Sequence, residues 1–130
     1  QSIDQIAILT DVLRGRGKIY GIDFKAFTDE AVKAFKQYCH DASKARLILE
    51  HLHKEIDGKD SPKRSTRPIS AALRAGLIVE RPPYEWFNQE FGELCKNDKT
   101  SYYAYTKEDC TTYDDDILHK ELVKQFRELT

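Results

Sequence analysis

The amino-acid sequence predicts an all-α fold of five or six helices in one domain. Apolar residues recur at spacings of three and four along most of the chain, which is the period of an amphipathic helix. Prolines and capping residues stand before these periodic segments, and glycines follow several of them, as at helix ends. A length of 130 residues with 40% hydrophobic content suits one domain with its own core, spanning 1–130.

The first half of the chain is predicted to hold one short and one long helix. Ser2 can cap a helix that ends near Leu13, and the glycine-rich segment 14–24 predicts a loop with at most one short strand. Thr28 is then placed to cap a single helix from Asp29 to Ile56, because apolar residues keep the helical spacing over that stretch. We expect this long helix to be the spine on which the C-terminal half packs.

The middle of the chain is predicted to contain a surface connection and two helices. Residues 57–68 have no apolar side chain apart from proline, which is typical of a solvated link, here with a basic end. A helix is expected to start at Pro68 and to stop at Gly76, since proline suits a first turn and glycine a helix end. The next helix begins after two prolines and ends at Gly92.

Two further helices are predicted near the C-terminus, and each has an acidic residue at its start. Asp98 precedes the polar and aromatic segment KTSYYAYT, whose inner positions are expected to be Tyr102 and Tyr105. Three aspartates, 114–116, precede the last helix. The predicted core stripe of that helix consists of Leu118, Leu122, Phe126 and Leu129.

The segment Arg81–Glu108 has the order of a helix-turn-helix. Phe87 and Phe91 form the inner face of its first helix, Gly92 ends that helix, and a polar helix opens at Lys99. A recognition helix needs a supporting helix, a small residue in the turn and short polar side chains at its start. The pattern FxxEFG…KTSYYxY therefore resembles the helix-turn-helix of bacterial and phage DNA-binding regulators, over about a fifth of the chain.

This resemblance implies binding to double-stranded DNA by a small accessory protein or transcriptional regulator, of the kind carried by mobile elements. The turn, residues 93–98, exceeds the usual length of about three residues, so a winged-helix arrangement is a variant of the same prediction. The polar helix has few basic residues of its own, which extends the predicted unit to residues 63–107. Its expected phosphate contacts are Lys63, Arg64, Arg67, Arg74, Lys99 and Lys107, and its expected base or sugar contacts are Thr100, Ser101 and Tyr103.

The overall charge does not by itself favour DNA. There are 21 basic and 22 acidic residues, a net charge of −1, so attraction to phosphates must come from a local patch. The alternative function is a protein-protein interaction module or a dimerising helical domain. Its expected interface residues are Tyr84 and Trp86, because aromatic side chains are enriched at interface centres.

No catalytic, metal or cofactor site is predicted. The pairs His51/His53 and Cys39/His40 lack the CxxC or HxxxH spacing of common metal sites. No nucleophile, base and orienting group occur together in a defensible pattern, so an enzyme is disfavoured. The glycines of 14–24 lack the Gly-Lys-Ser/Thr signature of a phosphate loop, and the aspartates of 114–116 are interpreted as a helix cap.

The sequence predicts a cytoplasmic protein. Three cysteines at long spacings indicate a reducing compartment rather than a disulfide framework. No apolar run reaches the roughly 18 residues of a membrane span, and the first residues are too polar for a signal peptide. The absence of methionine, including an initiator, suggests that the given chain starts after the first residue or is a fragment.

Overall fold

The computed structural model describes residues 29–130, and within this range the fold is all-helical with no strand beyond one isolated bridge. The predicted fold class is thus confirmed for these residues. The short helix predicted to end near Leu13 and the loop 14–24 lie outside the described residues. The helices are α1 (Asp29–Lys36), α2 (Ala45–Ile56), α3 (Pro62–Ala75), α4 (Tyr84–Phe91), α5 (Lys99–Thr106) and α6 (Ile117–Arg127), with a 3₁₀ turn at Ala42–Lys44.

The single long helix predicted from Asp29 to Ile56 is wrong, because the chain leaves the helical path between α1 and α2. Backbone groups in this break bond to the segment after α3: the His40 amide donates to the Leu77 carbonyl at 2.9 Å, and the Val79 amide donates to the Tyr38 carbonyl at 2.9 Å. Asp41 then caps the 3₁₀ turn. The apolar spacing continues across the break, so periodicity alone did not reveal it.

The prediction of a solvated link over 57–68 is wrong in its second half, which forms the first two turns of α3. Ser61 is the N-cap of this helix, and its hydroxyl accepts from the Arg64 amide. Ser65 and Thr66 are fully buried, and the Asn97 side-chain amide donates to their hydroxyls at 2.6 and 2.8 Å. The buried face of this part of α3 is therefore polar, and a search for apolar residues overlooks it.

Several other helix ends agree with the sequence prediction. Gly76 ends α3 with φ 87°, a left-handed conformation that glycine adopts without strain. Asp98 caps α5 by accepting from the Ser101 amide at 2.8 Å, and Asp116 caps α6 by accepting from the His119 amide at 2.9 Å. These contacts are local, within three residues of the cap, which is why the sequence indicates them.

The central element of the described residues is α3, not a long helix starting at Asp29. It packs against α2, α5 and α6, and the loop 107–116 between α5 and α6 also lies along it. The described helices share one hydrophobic core, whose largest fully buried side chains are Phe35, Ile48, Leu49, Leu52, Ile56, Ile69, Leu77, Phe87, Phe91, Tyr102 and Phe126.

The stripe predicted for α6 needs one correction. Leu122 and Phe126 are buried as expected, and Leu129 is partly buried, but the Leu118 side chain is exposed. The inner position of that first turn is taken by His119, whose Nε2 lies 3.0 Å from the Ser70 hydroxyl on α3. A buried hydrogen bond between α3 and α6 therefore stands where the sequence pattern predicts leucine packing.

Candidate nucleic-acid interface

An open cleft of about 1220 Å³ lies where the end of α3, the link to α4 and the end of α5 meet. Among the described residues, its cationic side chains are Arg74, Arg81 and Lys107, and its acidic side chains are Glu108 and Asp109. We call this feature the cationic cleft. Its other lining residues are Ser70, Leu73, Gly76, Ile78, Val79 and Thr106.

The two arginines of the cationic cleft are held in place by the fold. Arg74, in the last turn of α3, donates to the Cys110 carbonyl at 3.0 Å. Arg81 donates to the Thr106 hydroxyl at 3.3 Å, and its guanidinium carbon lies 4.9 Å from the centre of the Tyr103 ring. A guanidinium carries five N–H donors, so one hydrogen bond each leaves donors available to a ligand.

Two of the three cations in this cleft lie at the C-terminal ends of helices. Arg74 lies at the end of α3, and Lys107 is the C-terminal cap of α5. The carbonyls at a helix C-terminus carry partial negative charge, which favours cations nearby by some tenths of a kcal/mol. The local fold therefore stabilises the same side chains that the sequence nominates for phosphate contact.

Arg67, a predicted phosphate contact, is engaged inside the protein. Its guanidinium lies 3.0 Å from the Asp116 carboxylate, and the two side chains are only 12% and 10% exposed. Burial opposes ionisation of Asp116, but hydrogen bonds from the His119 amide and from Arg67 outweigh it and lower the pKa of this carboxyl. Arg67 thus joins α3 to the cap of α6.

The remaining residues predicted at the start of α3 lie on its surface. The exposed Arg64 guanidinium is 3.3 Å from the Asp60 carboxylate. Lys63 is exposed, and its backbone carbonyl accepts from the Tyr113 hydroxyl at 2.7 Å. Surface pairs such as Arg64 with Asp60 contribute little to stability, so this end of α3 keeps side chains that a polyanion can reach.

The predicted start of the recognition helix has acidic neighbours. The Lys99 ammonium lies 3.3 Å from the Glu85 carboxylate, and the Ser101 hydroxyl donates to the Asp98 carboxylate at 3.1 Å. Thr100 is exposed. Positive charge at the start of α5 is therefore partly neutralised by Glu85, whereas three cations and two carboxylates line the cationic cleft near the end of that helix.

The two residues predicted for a protein interface both contact the core. The Trp86 ring stacks on Phe35 with ring centres 5.3 Å apart, which joins α4 to α1. The Tyr84 ring contacts Phe87 and Tyr102, and its backbone amide donates to the Tyr103 hydroxyl at 2.9 Å. Both side chains are partly buried by these contacts.

The structure thus distributes the nine predicted DNA contacts over three places. Lys63, Arg64 and Arg67 lie at the start of α3, and Lys99, Thr100 and Ser101 lie at the start of α5. Arg74 and Lys107 meet in the cationic cleft, and Tyr103 supports it through Arg81. Sequence reasoning missed Arg81, although it is a basic residue within 63–107 and stands just before the prolines that precede α4.

A buried histidine with two carboxylate partners is a second feature that the sequence did not indicate. His53 is 3% exposed, and its ring nitrogens lie 2.9 Å from Asp57 and 2.8 Å from Glu90. Burial opposes protonation, but the hydrogen bonds to the two carboxylates outweigh it and raise the pKa of His53. Because both ring nitrogens of His53 are taken up by carboxylates, we interpret the cluster as an ion-pair link between α2 and α4. Among residues 29–130, no group of His, Cys, Asp and Glu side chains is arranged to hold a metal ion.

His53 and His119 should make the free energy of unfolding depend on pH in opposite ways, one above pH 6.5 and the other below it. The raised pKa of His53 adds stability that is complete below 6.5 and is lost as pH rises through its folded-state pKa. Burial and the nearby Arg74 charge lower the pKa of His119, so its contribution is complete above 6.5 and is lost as pH falls through its folded-state pKa.

The measurement is the free energy of urea unfolding over a pH series. In His53→Gln, we expect the free energy of unfolding no longer to fall as pH rises above 6.5, and still to fall as pH drops below 6.5. In His119→Gln, we expect the fall above pH 6.5 to remain and the fall below it to disappear. An unchanged decline above that pH in His53→Gln would show that His53 is not charged in the folded protein.

Two thiols in the described residues are poor nucleophiles. Burial raises the pKa of the Cys39 thiol and of the Cys95 thiol to about 11 in each case. Both therefore remain protonated near neutral pH, and the thiolate is the reactive form. Neither cysteine suggests covalent chemistry.

The chain matches no protein-family model, no curated protein and no solved structure. Within residues 29–130, none of the helices combines the length and the apolar character needed to cross a membrane.

Proposed function

We propose that this protein binds DNA through the cationic cleft and acts as an accessory or regulatory protein. The observation that carries the proposal is the convergence of Arg74, Arg81 and Lys107 on one open cleft. Residues 63–107 hold eight basic and five acidic side chains, a local excess of positive charge within a chain of net charge −1. Local positive charge attracts phosphates through counterion release.

The order of α4 and α5 supports a helix-turn-helix arrangement as part of this proposal. The start of α4 lies beside the end of α5, because Arg81 bonds to Thr106 and the Tyr102 hydroxyl donates to the Pro82 carbonyl at 2.7 Å. The helix pair thereby brings Arg81 and Lys107, which flank it in sequence, into one cleft. In this proposal the pair positions cations, and the acidic surroundings of Lys99 make the start of α5 a secondary contact.

Duplex titrations at several salt concentrations test the proposal. Fluorescence anisotropy with a short labelled duplex should show affinity that falls steeply as salt rises. Arg81→Gln and Lys107→Gln should each weaken binding and reduce the slope of log affinity against log salt by about one. The same charge change at Lys124, an exposed residue of α6 outside the cleft, is the matched control.

Two outcomes would contradict DNA binding through this cleft. One is the absence of salt-dependent binding at micromolar protein. The other is an equal loss of affinity in Lys124→Gln and in the cleft variants, which would indicate a general charge effect.

The alternative of a protein-interaction or dimerising module draws less support, because Tyr84 and Trp86 pack against the core. Sedimentation of the same samples would reveal self-association.

A further inference from the structure

The cationic cleft has an apolar wall that phosphate binding alone does not require. Leu73, Ile78 and Val79 line it beside the cations. Val79 is 63% exposed, although its backbone is held by the bond to Tyr38. An exposed branched side chain next to guanidinium groups suits a ligand that is apolar on one part and anionic on another.

The dimensions of the cleft favour a chain-like ligand. Its volume of about 1220 Å³ exceeds the roughly 300–1,000 Å³ of typical small-molecule pockets. It is also open to solvent, so part of a longer chain can bind in it while the rest stays outside. These features fit several linked units better than one enclosed small molecule.

We propose that the cationic cleft binds unpaired nucleotides, so that the preferred ligand is single-stranded DNA; this inference rests on the proposed function. In a duplex the faces of the bases are covered by neighbouring bases, and the convex outer surface of the duplex presents phosphates. In a single strand the bases are accessible and can lie against apolar side chains or guanidinium planes. The wall at Val79 and Leu73 would receive a base, and Arg74 and Lys107 would receive the flanking phosphates.

Arg81 is suited to stack on a base. Its guanidinium carbon lies over the Tyr103 ring, 4.9 Å from the ring centre, and its bond to Thr106 restricts rotation of the group. A planar cation held on one side can stack a base on the other, an interaction that nucleic-acid-binding proteins use without sequence preference. The fold thus limits the entropy that this side chain loses on binding.

The acidic residues of the cleft also favour a single strand over a duplex. Glu108 and Asp109 line the cleft next to Lys107. Carboxylates repel the continuous phosphate surface of a duplex, whereas they accept hydrogen bonds from the exocyclic amino groups of bases. The carboxylates repel the phosphates of either form, but pairing occupies one hydrogen of each such amino group in a duplex, whereas both are free in a single strand. Hydrogen bonding to the carboxylates therefore favours the single strand.

The test compares a short labelled single strand of mixed sequence with the duplex of the same sequence, by anisotropy at one low salt concentration. We expect the single strand to bind about tenfold more tightly, the effect of one or two stacked bases. Val79→Asn should weaken single-strand binding several-fold and leave duplex binding unchanged, because it removes apolar surface without changing charge. Leu118→Asn, at another exposed apolar residue outside the cleft, is the control and should change neither affinity.

The outcomes separate this inference from the proposed function. Duplex binding as tight as single-strand binding, or an equal effect of Val79→Asn on both ligands, overturns the preference for unpaired nucleotides and leaves DNA binding in place. A preference for single strands that Val79→Asn does not alter overturns the role of the apolar wall. Failure of both ligands to bind in a salt-dependent manner overturns the proposed function itself. Thermal unfolding of Val79→Asn shows that the variant is folded.

Discussion

Arg67→Ala is expected to destabilise the protein by about 3 kcal/mol, because it leaves the carboxylate of Asp116 nearly buried without its cation. The two side chains are 12% and 10% exposed and lie 3.0 Å apart. Removing one partner of such a pair costs more than the pair itself contributes, since the remaining charge stays desolvated. Urea unfolding followed by far-ultraviolet circular dichroism measures the change.

Arg64→Ala is the matched control for this substitution. Arg64 lies on the same helix, but its side chain is exposed and its pair with Asp60 is on the surface. We expect its free energy of unfolding to stay within about 0.5 kcal/mol of the wild-type value. Equal urea midpoints for the two variants would show that Arg67 is not part of a buried pair.

Phe126→Ala should lower the free energy of unfolding by about 3–5 kcal/mol, as is usual for a large aromatic side chain removed from a core. Phe126 is 1% exposed on α6, which packs against α3. Thermal or urea unfolding at neutral pH gives the value. A result below about 1 kcal/mol would place α6 outside the cooperative core.

Leu118→Ala provides the comparison on the same helix. The sequence pattern treats Leu118 and Phe126 as equivalent members of one stripe, whereas the Leu118 side chain is 57% exposed in the fold. We therefore expect a change within about 0.5 kcal/mol for Leu118→Ala. A large loss of stability at Leu118 would support the stripe predicted from the sequence against the position seen in the structure.

Local signals predicted much of the helical content. Apolar spacing, the caps Asp98 and Asp116 and the glycine at 76 all act within one helix turn, and the structure agrees with them. The break between α1 and α2 was not predictable in this way. Its backbone partners, Leu77 and Val79, lie more than thirty residues further along the chain, and no local pattern records them.

The candidate site also contains residues that the local sequence predicts and residues whose role only the fold reveals. Arg74 and Lys107 were nominated from residue type and position in the predicted helix-turn-helix unit, and the fold brings them together. Arg81 was not predicted as a contact because its position in the cleft depends on Thr106 and Tyr103, which lie over twenty residues away in the sequence. Arg67 has the same residue type as Arg74, and only its distance to Asp116 shows that its charge is already paired.

By itself, the sequence determined that this protein is helical, where several of its helices begin and end, and which basic residues are candidates for phosphate contact. These properties depend on interactions between near neighbours in the chain. Only the tertiary structure decided that α3 is the central helix, that its first turns are buried through Ser65 and Thr66, and which cations face a cleft. Each of those outcomes depends on hydrogen bonds and charge pairs between residues far apart in sequence, whose partners become known only when the chain is folded.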